Sequence, residues 1–501
     1  MGAVGSGQRG QGMNDVRGQS PDFTGVRALV VGLAREGTAL TRFLAEHGAH
    51  VTVTDLRSAA ELAENLERLS DLSVSYALGE HPTRLLDEAD ALFVSPGVPL
   101  GIPFLREAWE RNLPLSSETH LFTQLCPAPV IGITGSSGKT TTTALVGQVC
   151  QAAGRQTWVG GNIGRPLIGH LAEIRPSDTV VMEMSSFQLE FFSPSIDRRR
   201  NGKHWGAHDP IFGPPAWSPP IVAVLNITPN HLDRHFTMEA YIAAKAQIMA
   251  HQQPEDTVIL NLDDPITRRM GKTEDTKGRV LWFSKEKEAA SGAFLQADAL
   301  VVRLEGRDQA VCRTADLKLL GQHNLANVLA ACALAAAAVV PTEAVRQAVT
   351  TFRGVAHRLE LCRAKDGVRW YDDSIATAPE RTVAALLAFP DDRIVLLAGG
   401  RDKDLPWEEM AALTWQRVAH LLLFGEAADL VEEAMRRTEP SGTHICQIHR
   451  TGTLERAVAL AHHVAQPGDV VLLSPGGTSF DAYRDYVARG EHFKRLVKAL
   501  E

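Results

Sequence analysis

Residues 134–143 read TGSSGKTTTT, a glycine-rich loop closed by Lys139 and four threonines, and no other segment limits the possible folds so sharply. The apolar run Pro129–Ile133 precedes it, and a helical pattern with Leu145, Val146 and Val149 follows. The loop is therefore a strand-to-helix turn, the unit from which parallel α/β sheets are built. Gly135 and Gly138 let the backbone curl until successive N–H groups face one point at the helix N-terminus, with Ser136, Ser137 and Thr141 in the same cradle. Lys139 can reach the outer phosphates of a nucleotide, and the Thr140 hydroxyl can ligate Mg2+. A strict GxxxxGK[ST] loop would carry glycine at position 133; this chain has Ile133 there, and Gly132 lies one place early.

At 501 residues the chain is too long for one ordinary core, and about three domains are expected. The longest apolar tract, Val328–Val340, is mostly alanine and too short to span a bilayer, so it reads as a buried helix. A net charge of -8 argues against a general nucleic-acid footprint, and Arg198–Arg200 reads as a solvated loop. Six scattered cysteines without CxxC pairs imply a reducing compartment. Residues 1–20 read as a flexible tail without an apolar signal core, so the protein is expected in the cytoplasm.

The rhythm along the chain gives three α/β blocks. In the first, residues 21–119, the segment from Val26 to Arg57 reads strand, glycine turn, helix, strand, with Gly32 and Gly37 in the turn and Asp55 closing the second strand. Taken alone, this spacing suggests a dinucleotide, but position 34 is Ala. A further strand, Ala91–Val94, runs into Ser95-Pro96-Gly97. The second block, residues 120–354, holds the phosphate loop and strands at Thr179–Glu183 and Ile221–Asn226, with Asp197–Pro220 as a surface insertion between them. In the third, residues 355–501, strands ending near Leu397, Phe424 and Leu473 each run into glycine loops. The expected fold is thus α/β in three domains: an N-terminal Rossmann-like domain, a central P-loop ATPase domain with a parallel sheet, and a C-terminal Rossmann-like domain whose ligand crevice faces the ATP site.

A phosphate loop alone does not separate kinase, ATPase and ligase. Glu183 closes a strand of apolar neighbours after the loop helix, where a carboxylate needs a cation, and P-loop enzymes place a Mg2+ partner there. His231 and Asp233 follow another strand end, although hard Mg2+ prefers oxygen to imidazole.

TGSSGKTTT, EMSSFQLE at 183–190, NITPNHLDRH at 226–235, AAKAQI around Lys245, GQHNLAN at 321–327, HRLE at 357–360 and LLSPGGTSFDAYRDYVARGEHFK at 472–494 together resemble the Mur ligases, in the order that family keeps. SSFQLE points to the glutamate-adding branch. The resemblance spans nearly all of residues 24–500 and implies an amide ligase of peptidoglycan synthesis. ATP would phosphorylate the alanyl carboxylate of UDP-N-acetylmuramoyl-L-alanine, and the amino group of glutamate would attack the acyl phosphate. It implies two Mg2+ ions near Thr140, Glu183, His231 and Lys245, with Lys245 as a carbamylated lysine, and Lys139, Glu183, His231 and Lys245 as the catalytic set. Asn324, Asn327, Arg358 and Asp373 would join the loop in holding ATP. Asp55, Arg57, Ser95, Gly97 and Asn162 would hold the UDP-sugar, which replaces the dinucleotide reading of the first domain. Thr377, Lys403, Ser479 and Phe480 would hold the amino acid. No nucleic acid, membrane or partner chain is implied, and a monomer is expected. One departure stands out. The glutamate branch commonly reads DSKATN where this chain has Asp373-Ser374-Ile375-Ala376-Thr377-Ala378, so a lysine for the incoming glutamate is Ile375 here. Lys403 would compensate, with Arg401 as an additional cation; an L-glutamate-adding variant, a folylpolyglutamate-synthase-like ligase and a P-loop kinase stay open as alternatives.

Overall fold

The computed structural model describes residues 21–193, 217–272, 276–319, 321–389, 392–403, 405–438 and 446–500, without the side chains of Asp233 and Gln322. The expected N-terminal tail and most of the 197–220 insertion lie outside this range. The chain divides into two compact units, one comprising residues up to Asp316 with Leu325–Thr350, the other Leu317–Asn324 with Thr351–Glu501.

The first unit carries two sheets. Five parallel strands, β1 (Arg27–Val31), β2 (His50–Asp55), β3 (Val74–Leu78), β4 (Ala91–Val94) and β5 (Leu115–Ser116), lie in the order β3-β2-β1-β4-β5. β1 and β4 are apolar runs buried along almost their whole length, as strands covered on both faces must be. The second sheet has nine strands: β6 (Val130–Thr134), β7 (Thr157–Gly161), β8 (Thr179–Glu183), β9 (Ile221–Val224), β10 (Thr257–Asn261), β11 (Arg279–Ser284), β12 (Gly292–Gln296), β13 (Ala299–Leu304) and β14 (Arg307–Arg313). Their order is β14-β13-β12-β11-β10-β9-β6-β8-β7, with β6 and β8 in the parallel interior and β12–β14 as an antiparallel margin. Glu305 and Gly306, both at positive φ (50° and 74°), make the two-residue turn between β13 and β14 that right-handed strand twist favours. β9 ends two residues earlier than the alternation of its sequence suggests, which frees Leu225 and Asn226 for the loop beside the phosphate turn.

The alanine-rich tract is the helix Gln322–Ala337, whose residues Val328–Ala335 are at most 1% exposed. No helix among the described residues is long and apolar enough to cross a membrane.

The second unit has one sheet: β15 (Glu360–Lys365), β16 (Val368–Asp372), β17 (Ile394–Gly399), β18 (Val418–Phe424), β19 (Gln447–Gly452) and β20 (Val470–Gly476), ordered β15-β16-β20-β17-β18-β19. Only β15 runs antiparallel, through a hairpin turn at Asp366-Gly367 with φ of 52° and 78°. The C-terminal ends of β16, β20 and β17 lie side by side, the place where open parallel sheets bind ligands.

Candidate active site

The phosphate loop leaves β6 and enters the helix Lys139–Ala152 as the sequence predicts. Gly138 sits at φ 81°, and a Cβ there would stand 2.2 Å from Asn327 Oδ1. Asn327, on the helix Gln322–Ala337, is thus packed against the loop that it was expected to join. A second clamp comes from the segment after β9. The Ser136 N–H donates to the Asn226 carbonyl (2.9 Å), the Ser137 N–H donates to Asn226 Oδ1 (2.9 Å), and the Thr228 N–H donates to Ser136 Oγ (3.0 Å). Tyr241 OH lies 3.0 Å from Ser136 Oγ. Asn226 and Tyr241 therefore hold the loop's shape; as a strand-end asparagine and a helix tyrosine they carry no phosphate signature in the sequence. Thr140 is half-buried at the loop mouth, and Thr141 is buried behind it.

Two lysines converge beneath this loop. Lys139 Nζ and Lys245 Nζ both donate to the Gly135 carbonyl, at 2.8 and 2.9 Å. Lys245, on the helix Met238–Ala246, is 1% exposed, far from the solvated helix lysine that its sequence position allows. Burial, and then the charge of Lys139, push its ammonium down to about 6, against the opposing pull of Glu183. At neutral pH Lys245 is mainly an unprotonated amine. Glu183, 2% exposed at the end of β8, accepts from Asn162 Nδ2 at 2.7 Å through Oε1, while its Oε2 is buried without a hydrogen-bond partner among the described residues. Asn162 follows β7, which pairs with β8 through Gly161 and Glu183, so the sheet itself sets these two residues side by side. Gly161, at φ 88°, is required here because a Cβ would meet the Glu183 carbonyl at 2.3 Å.

His231 is exposed, at φ 53°, and caps the short helix Leu232–His235; its ring lies 4.9 Å from that of Phe187. The neighbouring His235 is instead buried, with Nε2 2.9 Å from Ser186 Oγ and Nδ1 3.4 Å from Glu190. Arg234 donates to Glu190 (3.0 Å) and to the Pro96 carbonyl (2.9 Å), tying this segment to the loop after β4.

In that first sheet, Ser95 Oγ donates to the Gly32 carbonyl (2.7 Å), and Gly97 is exposed beside it. Asp55 accepts from the Leu33 N–H (2.7 Å) and pairs with Arg57 (2.8 Å). Burial pushes its carboxyl up, but the hydrogen bonds from Arg57 and Leu33 outweigh that and hold it below the usual carboxylate range. Arg35 donates to the carbonyls of Asn162 (3.1 Å) and Gly164 (2.9 Å). Gln188 of the SSFQLE motif, fully buried, donates to Glu36 and to Thr119, both at 2.9 Å. These contacts seat the first sheet against the second, and neither Arg35 nor Gln188 is recognisable as a bridging residue from local sequence.

In the second unit, Asp373 is buried and accepts from Ser474 Oγ (2.8 Å) and the Leu359 N–H (3.2 Å). Burial raises its carboxyl to about 7 in spite of Ser474 and of the Arg358 charge. Asn324 is buried in the first turn of its helix, its N–H donating to the Gly321 carbonyl. Three loops meet past β16, β17 and β20. Arg401 and Thr478 exchange backbone hydrogen bonds (2.9 and 2.8 Å), and Lys403 Nζ reaches Thr377 Oγ1 at 3.5 Å. Ser479 is buried, whereas Phe480 is 62% exposed. Arg401, expected as an additional cation, is held in a bidentate pair with Glu426 (2.7 and 2.9 Å). Arg489, fully buried on the helix Tyr486–Ala499, donates to the carbonyls of Ser374, Gly477 and Thr478 (2.9–3.1 Å) and so fastens two of the loops together.

The first unit thus combines a nucleotide-phosphate loop, a buried amine and a buried carboxylate, and the second unit, taken by itself, carries a loop crevice. Comparison with known proteins decides among the enzyme classes that use such parts. Residues 26–117 match the MurD-like N-terminal domain of Mur ligases, residues 133–196 and 216–335 the Mur ligase middle domain, and residues 357–477 the Mur ligase glutamate ligase domain. The chain belongs to the Mur ligase family. Its relatives include the UDP-N-acetylmuramoylalanine–D-glutamate ligase of Symbiobacterium thermophilum, 43% identical over 95% of this chain and 98% of that protein. The enzyme of the same name from Roseiflexus sp. is 42% identical over 95% and 99%. Among solved structures, the UDP-N-acetylmuramate-alanine ligase of Thermotoga maritima shares the fold with a TM-score of 0.57 at 17% identity, covering 94% of this chain and 99% of that one. The pseudomurein peptide ligase type C of Methanothermus fervidus does so with a TM-score of 0.52 at 18% identity, covering 95% and 100%. The expected three-domain α/β Mur ligase fold and its membership of the family are both borne out.

Proposed function

We propose that this Mur ligase joins glutamate to UDP-N-acetylmuramoyl-L-alanine at the cost of ATP, in peptidoglycan precursor synthesis, with D-glutamate as the amino acid. The observation that carries the reading is likeness at 43% identity, over 95% of the chain, to a ligase of that name. Residues 21–119 would take the UDP-sugar, 120–354 ATP and 355–501 the amino acid, in the cytoplasm and as a monomer.

In this account the loop N–H groups, with Lys139, hold the β- and γ-phosphates of ATP while the alanyl carboxylate attacks the γ-phosphorus. ADP leaves and an acyl phosphate forms. The glutamate amine then attacks the acyl carbon, and phosphate leaves as the amide bond closes. Glu183 fits a cation site, because its buried Oε2 has no hydrogen-bond partner among the described residues. Two Mg2+ ions, held by Thr140, Glu183, His231 and Lys245, would neutralise the oxygens between which the phosphoryl group moves. An ammonium at Lys245 would repel such a cation. A neutral Lys245 amine can instead attack CO2, forming an N–C bond and releasing one proton, to give a carbamate with oxygens to offer. Asn162 holds the Glu183 carboxylate in place through its 2.7 Å bond. Asp55, Arg57, Ser95 and Gly97 would line the UDP-sugar end, and Asn324, Asn327, Arg358 and Asp373 are the further residues proposed to hold ATP.

Lys139→Ala should abolish ATP-dependent phosphate release while UDP-sugar binding persists. Lys245→Ala should lose turnover and regain part of it with added small carboxylates. Loss of sugar binding in the first variant would overturn the division of domains, and a folded second variant that carboxylates do not rescue would overturn the carbamate.

A further inference from the structure

Asn162 stands between two parts of the first unit. Its N–H donates to the Glu183 carbonyl (2.9 Å) and its Nδ2 donates to Glu183 Oε1 (2.7 Å), so it grips Glu183 at both main chain and carboxylate. Its own carbonyl accepts from Arg35 Nη2 (3.1 Å), and Arg35 Nη1 donates to the Gly164 carbonyl (2.9 Å). One guanidinium thus spans residues 162–164 from the other sheet of the unit. Gly161 and Gly164 stand at φ of 88° and 66°, and glycine has the most backbone freedom to lose, so the fork restrains a segment that its glycines leave free to move. Arg35 opens the helix Arg35–Glu46 just after the glycine turn of the first sheet. A cation there suggests a diphosphate ligand by sequence, yet two of its N–H groups are already spent on the loop after β7.

The far end of this series of contacts is a group with an unmet demand: Glu183 Oε2 is buried without a hydrogen-bond partner among the described residues. A carboxylate that is to meet a divalent cation must be held in one orientation, and the groups behind a metal ligand set its affinity nearly as firmly as the ligand itself. We infer that Arg35 is a positioning residue for the cation site: it holds residues 162–164, which keeps Asn162 set against Glu183 and the Glu183 carboxylate in a fixed orientation. The inference rests on the reading of Glu183 as a cation ligand of the ligase reaction, and names a residue outside the cation set on which that ligand depends.

Binding of Mn2+ alone to the full chain, followed by electron paramagnetic resonance, reads the site apart from turnover. Asn162→Ala should weaken binding about tenfold or more, and Arg35→Ala, one contact further back, at least about threefold. The sign is diagnostic: deleting a positive charge from this part of the unit would tighten cation binding by Coulomb's law, whereas loss of positioning loosens it. Adding Arg35→Ala to Asn162→Ala should cost less than about a further 1.5-fold, because the two residues act along one path. Arg35→Lys, which keeps the charge without the planar fork, should recover only part of the loss, and it carries the same prediction if Arg35→Ala fails to fold. UDP binding, measured by calorimetry, should stay within about twofold of the parent in Arg35→Ala. Phosphate release by the parent reports on the ligase reading: without glutamate-dependent turnover that reading falls, while a loosened Mn2+ site in Arg35→Ala would still support the positioning role. A folded Arg35→Ala that binds Mn2+ as tightly as the parent, losses that add in the double variant, or UDP binding lost with Mn2+ binding unchanged would each overturn the inference.

Discussion

Gly138→Ala tests how the phosphate loop is built. The native residue has φ of 81°, in the left-handed region where an L-residue with a Cβ costs roughly 1–2 kcal/mol. The new methyl would stand 2.2 Å from Asn327 Oδ1, inside any permissible contact, and the next atom, Asn327 Cγ, is only 3.1 Å away. Asn327 is 6% exposed, so its amide has no route to water, and displacing it costs about 1–3 kcal/mol in disrupted polar contacts. The two costs together come to roughly 3 kcal/mol. At about 2.1 cal/mol/K per residue, a unit made of Met1–Asp316 and Leu325–Thr350 loses about 1.4 °C per kcal/mol, so thermal unfolding followed by circular dichroism should shift down by roughly 4 °C. Turnover should suffer more than stability, because about 1 Å of misplacement in a phosphate cradle costs on the order of a hundredfold. Gly138→Ala with Asn327→Ala removes the clash but not the φ cost, and should recover only part of the lost melting temperature. A single variant that melts within 1 °C of the parent and keeps its phosphate release would refute both the backbone and the packing argument.

Arg489→Met should strand the buried carbonyls of Ser374, Gly477 and Thr478, destabilising the second unit by about 3 kcal/mol or more, seen in urea unfolding, and weakening glutamate use more than ATP use. The buried carboxyls Glu36 and Glu118 give a pH signature. Burial, then the charge of Glu118, raises Glu36 to about 8, and burial raises Glu118 to about 7. The folded state therefore holds protons that the unfolded chain releases near pH 4.5, so this part of the stability is complete below that pH and is lost as pH rises to about 8. Glu36→Gln should flatten the decline in melting temperature between pH 5.5 and 8, and an unchanged slope would rule out that source.

The sequence exposes periodic and local features well. The phosphate turn, the buried strands Ala91–Val94 and Thr179–Glu183 and the alanine-rich helix follow from apolar runs and glycine spacing, and all stand where they were expected. The structure sets Glu183 next to Asn162, and Asn327 next to Gly138, pairings that the motifs alone do not state. Single polar side chains reaching across sequence leave no such trace. Gln188 bonds Glu36 across 152 positions, Ser137 bonds Asn226 across 89, and Arg489 reaches Ser374 across 115. Each is an ordinary polar residue until the fold buries it opposite a partner. The antiparallel margin β12–β14 was also missed, because its short half-exposed strands resemble loop sequence. Arg401, which its loop position suggests as a ligand cation, pairs with Glu426 in this structure, a contact that local sequence does not announce.

The most direct measurement of the central claim is phosphate release by the full chain with ATP, Mg2+ and UDP-N-acetylmuramoyl-L-alanine, run with D-glutamate, with L-glutamate and with neither. A Mur ligase of the glutamate branch releases phosphate only when both the UDP-sugar and D-glutamate are present, with one amide product formed per phosphate. Phosphate release that ignores the amino acid, or transfer of the phosphoryl group to a stable product without any amide, would contradict the account.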